Sequence, residues 1–208
     1  MAHEYLMKEY ELCFQQLRFY DERHESILKY MFSLSSAVAT AQFAIYKLLN
    51  GATTTFFLSQ LILSGLVFFA TLLLGMAMLQ NRLYFVYVAR QLNAIRGYLM
   101  RVDAGEFKNN QLYTSTDFPA LKPFSVHTFQ LLGAALMSSA FAGLCAYSIR
   151  PVVGCRPSVA TAMGACFCVF AAEVGGGMWY LSLYGRKTAD EAIHRQTPEE
   201  KPKQPTQG

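Results

Sequence analysis

Glu173 is the one acidic residue in any of the four long apolar stretches of the chain, which run from Tyr30 to Leu49, Phe56 to Leu79, Phe124 to Ile149 and Val159 to Tyr184. A carboxyl group at the centre of a hydrocarbon layer costs roughly 2.5–3.5 kcal/mol on insertion scales, and a hydrogen-bonding partner, protonation or water must offset that cost. At matching depth, Gln42 of the first stretch and Ser138 or Ser139 of the third have the donors to do so. The chemistry open to such a group is a buried interhelical hydrogen bond, an ion path, a proton-responsive gate or a polar lipid-binding cavity. Gly175, Gly176 and Gly177 follow at once and leave a stretch of backbone without side chains. Either close helix approach or a hinge beside the acid would use them.

These groups need elements to hold them. Each apolar stretch has 20 or more residues, which at about 1.5 Å per residue spans a hydrocarbon core of roughly 30 Å as a helix. The expected fold is an all-α membrane protein with four transmembrane helices. Apolar residues make up 53% and charged residues 15% of the 208-residue chain, against about a quarter charged in soluble domains. Little chain remains for a second folded core. The segment before the first stretch lacks the pattern of a cleaved signal peptide, so that stretch is expected to be an uncleaved anchor.

Fifteen of the eighteen basic residues fall in the N-terminal segment, the middle loop and the tail, leaving Lys47, Arg150 and Arg156 for the opposite side. That bias places both termini and the middle loop in the cytoplasm, with the chain in the inner (plasma) membrane. Tyr30, Tyr46, Phe56, Tyr84, Phe124, Trp179 and Tyr184 near the span ends fit interfacial aromatic belts.

Two segments outside the spans remain periodic. Leu6, Tyr10, Cys13, Leu17, Tyr20, His24, Ile27 and Met31 recur at steps of four and three, a heptad seam on one helix that runs from near Ala2 into the first span. Past the second span, Val88, Leu92, Ile95 and Leu99 share one face, while Arg90, Asn93, Gly97 and Arg101 share the other. Helices 1 and 2 are therefore expected to extend into a cytoplasmic helical stalk, burying their seams together or receiving a partner. The resulting organisation is 1–29 as N-terminal helix, 30–79 as the first hairpin, 80–123 as cytoplasmic helix and loop, 124–184 as the second hairpin and 185–208 as a disordered tail. Leu6, Tyr10, Leu17, Tyr20, His24, Arg90, Asn93 and Arg101 are the stalk candidates for partner contacts.

Small residues at spacing of four, Ser33, Ala37 and Ala41, then Ala135, Ser139 and Gly143, then Ala160 and Gly164, read as packing strips. His127 lies near the inner end of the third span and His24 on the stalk seam; each suits a hydrogen-bonded packing role, with pH sensing as the alternative. Five scattered cysteines suit packing, and Cys166 and Cys168 diverge too far around a helix to share a metal. A Cys145–Cys155 disulfide across the outer loop is the alternative for that pair.

No zinc-protease motif, phosphate loop, nucleophile elbow or paired intramembrane carboxylates occur, so no enzyme, metal or cofactor is expected. Acids outnumber bases on the first helix, which disfavours nucleic acid. The expected partners are the lipid bilayer, further copies of the chain and a cytoplasmic protein. The implied role is a homo-oligomeric membrane sensor, effector or small channel, with a non-conducting scaffold that recruits a cytoplasmic protein as the alternative. Small membrane proteins of this shape occur in bacterial antiviral defence and stress responses, a likeness of fold alone.

Overall fold

The computed structural model describes residues 2–103, 119–122 and 124–194. Among them the fold is entirely helical, in the order α1 (Ala2–Leu48), α2 (Thr54–Asp103), α3 (Val126–Val152) and α4 (Val159–His194). Of the tail expected at 185–208, residues 185–194 continue α4 as helix; the rest of it, with residues 104–118 of the loop, lies outside the described residues.

Helices of 47 and 50 residues form because neither α1 nor α2 contains a proline, and the glycines of α2 are too sparse to stop it. The helix starts are capped by hydroxyls. Phe56 N donates to Thr53 Oγ1 at 3.1 Å, Thr128 N to Ser125 Oγ at 3.3 Å, and Thr161 N to Ser158 Oγ at 3.3 Å, each satisfying one orphan N–H. The α1–α2 turn uses Asn50 at φ 55° and Gly51 at φ 128°, left-handed backbone that these residue types adopt most cheaply.

The helices stack in chain order, α1 on α2, α2 on α3, and α3 on α4. Helix α4 touches α2 chiefly in its C-terminal half, through Leu181 and Gly177. The described chain is therefore a folded ribbon of helices with α1 and α4 on its flanks.

The apolar seam of α1 is buried from Leu6 to Met31. Buried Cys13 packs with Val88, Leu92 and Ile95, flanked by Leu6, Tyr10, Leu17, Tyr20 and Leu99. Further along, Ile27 and Met31 join Met78 and Ala134. Polar contacts edge the pair: Gln91 Nε2 donates to Glu9 Oε1 at 2.6 Å, and the Arg96 guanidinium lies 5.7 Å from the centre of the Tyr10 ring.

Three helices are long and apolar enough to cross a membrane: Thr54–Val102, Val126–Val152 and Val159–Gly185. Helix α1 is not among them, because Ser33, Ser35, Ser36, Thr40, Gln42 and Lys47 dilute its outer half.

Candidate functional sites in the apolar layer and at its inner edge

The acid is partnered by one of the three candidates. Ser138 Oγ on α3 lies 2.5 Å from both Glu173 carboxyl oxygens on α4. Gln42 does not reach it; its Nε2 donates instead to Ser64 Oγ of α2 at 2.8 Å, in a buried bond between the first two helices. Ser139, one residue from Ser138 and so about 100° around the helix, faces another neighbour, with its hydroxyl 3.6 Å from Cys166 Sγ while it donates to Leu136 O. Both pairs join adjacent helices within one chain. In the cycle Gln42→Leu, Ser64→Ala, we expect a coupling energy of about 0.6–1.7 kcal/mol, the range of interhelical bonds in lipid. Denaturant titration in mixed micelles measures it.

The glycines beside the acid do not break α4, which runs through them without interruption. Nor do they all mediate contact. A Cβ at Gly177 would meet the Leu79 side chain at 3.4 Å, whereas at Gly175 and Gly176 it would meet nothing within 4 Å. Tight approach occurs instead between α3 and α4: a Cβ at Gly143 of α3 would lie 3.0 Å from Ala162 O and 3.2 Å from Cys166 Cβ. Of the small-residue strips, Ala135–Ser139–Gly143 is buried, while Ser33, Ala37, Ala41, Ala160 and Gly164 are exposed. All five cysteines are free thiols, so the alternative Cys145–Cys155 bridge is absent.

Between Gly75–Leu79 of α2, the start of α3 and the stretch of α4 from Ala172 to Leu181 lies a cavity of about 740 Å³. Its walls are mostly apolar, with Glu173, Thr128, Trp179 and Tyr180 as the lining residues that carry polar side-chain atoms.

A second polar cluster forms where α1, α2 and α3 meet at one edge of the apolar layer, near the start of α3. His24 of α1 is 1% exposed, and neither ring nitrogen has a hydrogen-bond partner. Its ring stands edge-on to His127 of α3, with centroids 5.3 Å apart. His127 Nε2 approaches Asp21 Oδ1 at 3.5 Å, and Asn81 Nδ2 donates to Tyr20 O at 2.7 Å. Burial, reinforced by His127 and Arg82, pushes the His24 pKa down to about 4 from its ordinary 6.5. Burial lifts the Asp21 carboxyl, against the opposing pull of His127 and Arg82.

Arginines of α2 tie the rest of the chain to this joint. Buried Arg82 donates from Nε to Ala120 O at 3.1 Å and lies 5.2 Å from the Phe85 ring centre. Arg90 donates to Gly185 O of α4 at 2.8 Å. Gly185 is required there, since its Cβ would fall 2.7 Å from Ala120 Cβ. The α2 face bearing Arg90 and Asn93 is thus covered, with Asn93 buried, rather than presented outward as a polar surface. Arg101 bonds Gly97 O of its own helix.

Among the seam residues, Leu6, Tyr10, Leu17 and Tyr20 point into the α1–α2 contact. The free face of α1 carries the apolar residues Tyr5, Leu12 and Phe19, spaced by sevens, a second stripe masked in the sequence by the stronger seam. Among the described residues, no group of His, Cys, Asp or Glu is arranged to hold a metal. No protein-family model, curated protein or solved structure matches the chain.

Proposed function

We propose that the chain is a four-pass protein of the inner (plasma) membrane, both termini cytoplasmic, in which the inner ends of α1 and α2 form a cytoplasmic stalk that senses or transmits a state of the membrane part. The supporting observation is mechanical. Helices α1 and α2 are unbroken across the inner edge of the apolar layer, and their pairing seam continues from Leu6 to Met31. A tilt or rotation imposed on one end is therefore carried to the other, since a packed pair of helices moves as a unit rather than deforming continuously.

A pore through one subunit is poorly supported, because the intramembrane polar groups Gln42 and Glu173 are bonded to Ser64 and Ser138 of neighbouring helices. Self-association is supported by the exposed stripe Tyr5, Leu12 and Phe19, whose heptad spacing on an already helical segment suits a second copy. The same stripe supports the alternative reading, a scaffold recruiting a cytoplasmic protein.

Topology is tested first. A membrane-impermeant maleimide added to intact cells labels Cys155, which is exposed in the α3–α4 turn, and Cys155→Ser loses the label. A cysteine at Leu12 in a Cys155→Ser background reacts only after the membrane is opened. Labelling of position 12 from outside sinks the orientation. Oxidative crosslinking of Leu12→Cys then separates the two readings of the stripe: a homodimer band supports self-association, whereas monomer with a co-purifying partner supports the scaffold. Liposome flux is expected to be absent for the wild type and for Glu173→Gln, and a conductance abolished by Glu173→Gln would restore the channel.

A further inference from the structure

Glycines on transmembrane helices ordinarily let two backbones approach. Gly75 and Gly176 do something else. Both face the 740 Å³ cavity between α2, α3 and α4, and a Cβ at either would touch nothing within 4 Å. Their missing side chains create volume, not contact. Gly176 follows Glu173 by three residues on the same helix face, so the empty wall and the single acid belong to one surface.

The cavity is of ligand size, within the roughly 300–1,000 Å³ of small-molecule sites, and has their usual character of apolar walls with a few placed polar groups. Counting from Tyr184, Glu173 lies about 16 Å into its span, near mid-depth, and from there the cavity runs some 12 Å along α4 to Leu181. Trp179 is 66% and Phe129 58% exposed at its sides, so it opens sideways to lipid. Phe124, 90% exposed at the inner mouth, is held at φ 61°, a conformation rare for a bulky residue.

An ordinary acyl chain would fill the walls but put only hydrocarbon against the carboxyl. Ser138 supplies one O–H, whereas a carboxylate has about four lone-pair sites. A hydroxyl suits the remaining sites, donating to an ionised carboxyl or accepting from a protonated one. We propose that this cleft binds a lipid-soluble long-chain alcohol, its hydroxyl on Glu173 and its chain along the wall left open by Gly75 and Gly176. The assignment rests on the membrane-embedded reading but not on the stalk's role.

The test uses the full-length protein in phosphatidylcholine nanodiscs with a diazirine-bearing dodecanol as photoprobe. Labelling is expected on α2, α3 and α4 around the cleft, competed by dodecanol at least about tenfold better than by dodecane, a difference of about 1.4 kcal/mol. Gly176→Leu starts from a Cβ that meets nothing within 4 Å, extends into the cleft, and is expected to cut labelling about tenfold or more. Gly175→Leu, at a position where an added Cβ also meets nothing within 4 Å but which lies off the cleft, is expected to retain it. Glu173→Leu is expected to abolish the preference for alcohol over alkane while leaving chain binding. Equal competition by dodecane, or labelling indifferent to Gly176→Leu, overturns the proposal and leaves the cleft as bulk-lipid space. Loss of self-crosslinking in Gly176→Leu with unchanged labelling overturns it in favour of a second copy seated there. Protection of Cys168, exposed on the apolar helix α4, from a water-soluble maleimide that does label Cys155 in the same nanodiscs checks embedding independently, so failure of the membrane reading is distinguishable from failure of the site.

Discussion

Acidification from neutral pH to about 4 is expected to destabilise the packing of α1 on α2 and α3 by about 3 kcal/mol, and His24→Phe is expected to remove most of that loss. The sign follows from linkage. The folded-state pKa of His24 is about 4 against 6.5 when unfolded, so the unfolded chain binds the proton first. The neutral folded form keeps its full stability above pH 6.5 and loses it at about 1.4 kcal/mol per pH unit below that, until the folded-state pKa is reached. Every charged or titratable group facing the ring must be counted. His127 of α3 and Arg82 of α2 both disfavour its protonation. Asp21, on the same helix as His24, has its own raised pKa, which favours proton uptake by the folded state and works in the opposite sense.

Asp21→Asn therefore isolates the histidine contribution and should steepen the acid loss. His24→Phe keeps a ring against His127 and deletes two ring nitrogens that have no partner, so stability at pH 7 is expected to hold or rise by about 1 kcal/mol. Denaturant titrations in mixed micelles at a series of pH values provide the measurement. An acid dependence of the wild type that persists unchanged in His24→Phe would sink the assignment. The location gives the effect a route to function: the joint lies where the α1–α2 pair enters the apolar layer and α3 meets it, so charging the ring separates the three helices there.

The helices were legible in the sequence because apolar periodicity survives without tertiary knowledge. Leu6, Tyr10 and Cys13 on one helix and Val88, Leu92 and Ile95 on another are each a stripe that must be covered, and they cover one another. The limits were physical too. Spacing shows which residues share a face but not which neighbour that face meets, so Gln42, equal in depth to Glu173, pairs with Ser64 on the adjacent helix instead. Glycine runs show where side chains are missing but not whether a helix or a void takes the space. Arg90 and Asn93 looked like an outward polar stripe because the carbonyl of Gly185, 95 residues away, is invisible to local pattern. The joint was hardest to see: His24, Asp21, Arg82 and His127 come from three helices, and only His24 stood on a recognised seam.

Gly143→Leu is expected to separate α4 from α3 with the largest loss among single substitutions in the apolar layer. The site has no slack. A Cβ there would be 3.0 Å from a backbone oxygen, Ala162 O, and 3.2 Å from Cys166 Cβ, and neither neighbour is the movable end of a flexible side chain. Overpacking of a close interface costs about 1–3 kcal/mol. Here the displacement also strains the Ser138–Glu173 bond further along the same pair of helices, and a half-buried acid deprived of its donor adds a further, smaller cost. Gly143→Ala is expected to show a smaller loss, since a shift of a few tenths of an ångström accommodates one methyl. Gly164→Leu on the facing helix, where a Cβ meets nothing within 4 Å, is expected to be near neutral. Helix α4 has few other attachments in the apolar layer, because it contacts α2 mainly at its inner end and does not pack on α1. Gly143→Leu should therefore free the outer half of α4 first and leave the α1–α2 pair intact. Disulfide trapping between cysteines at Ala140 and Met163, which line the same groove between α3 and α4, reads the separation directly. Trapping as efficient in Gly143→Leu as in the parent would show that the two helices do not depend on that glycine.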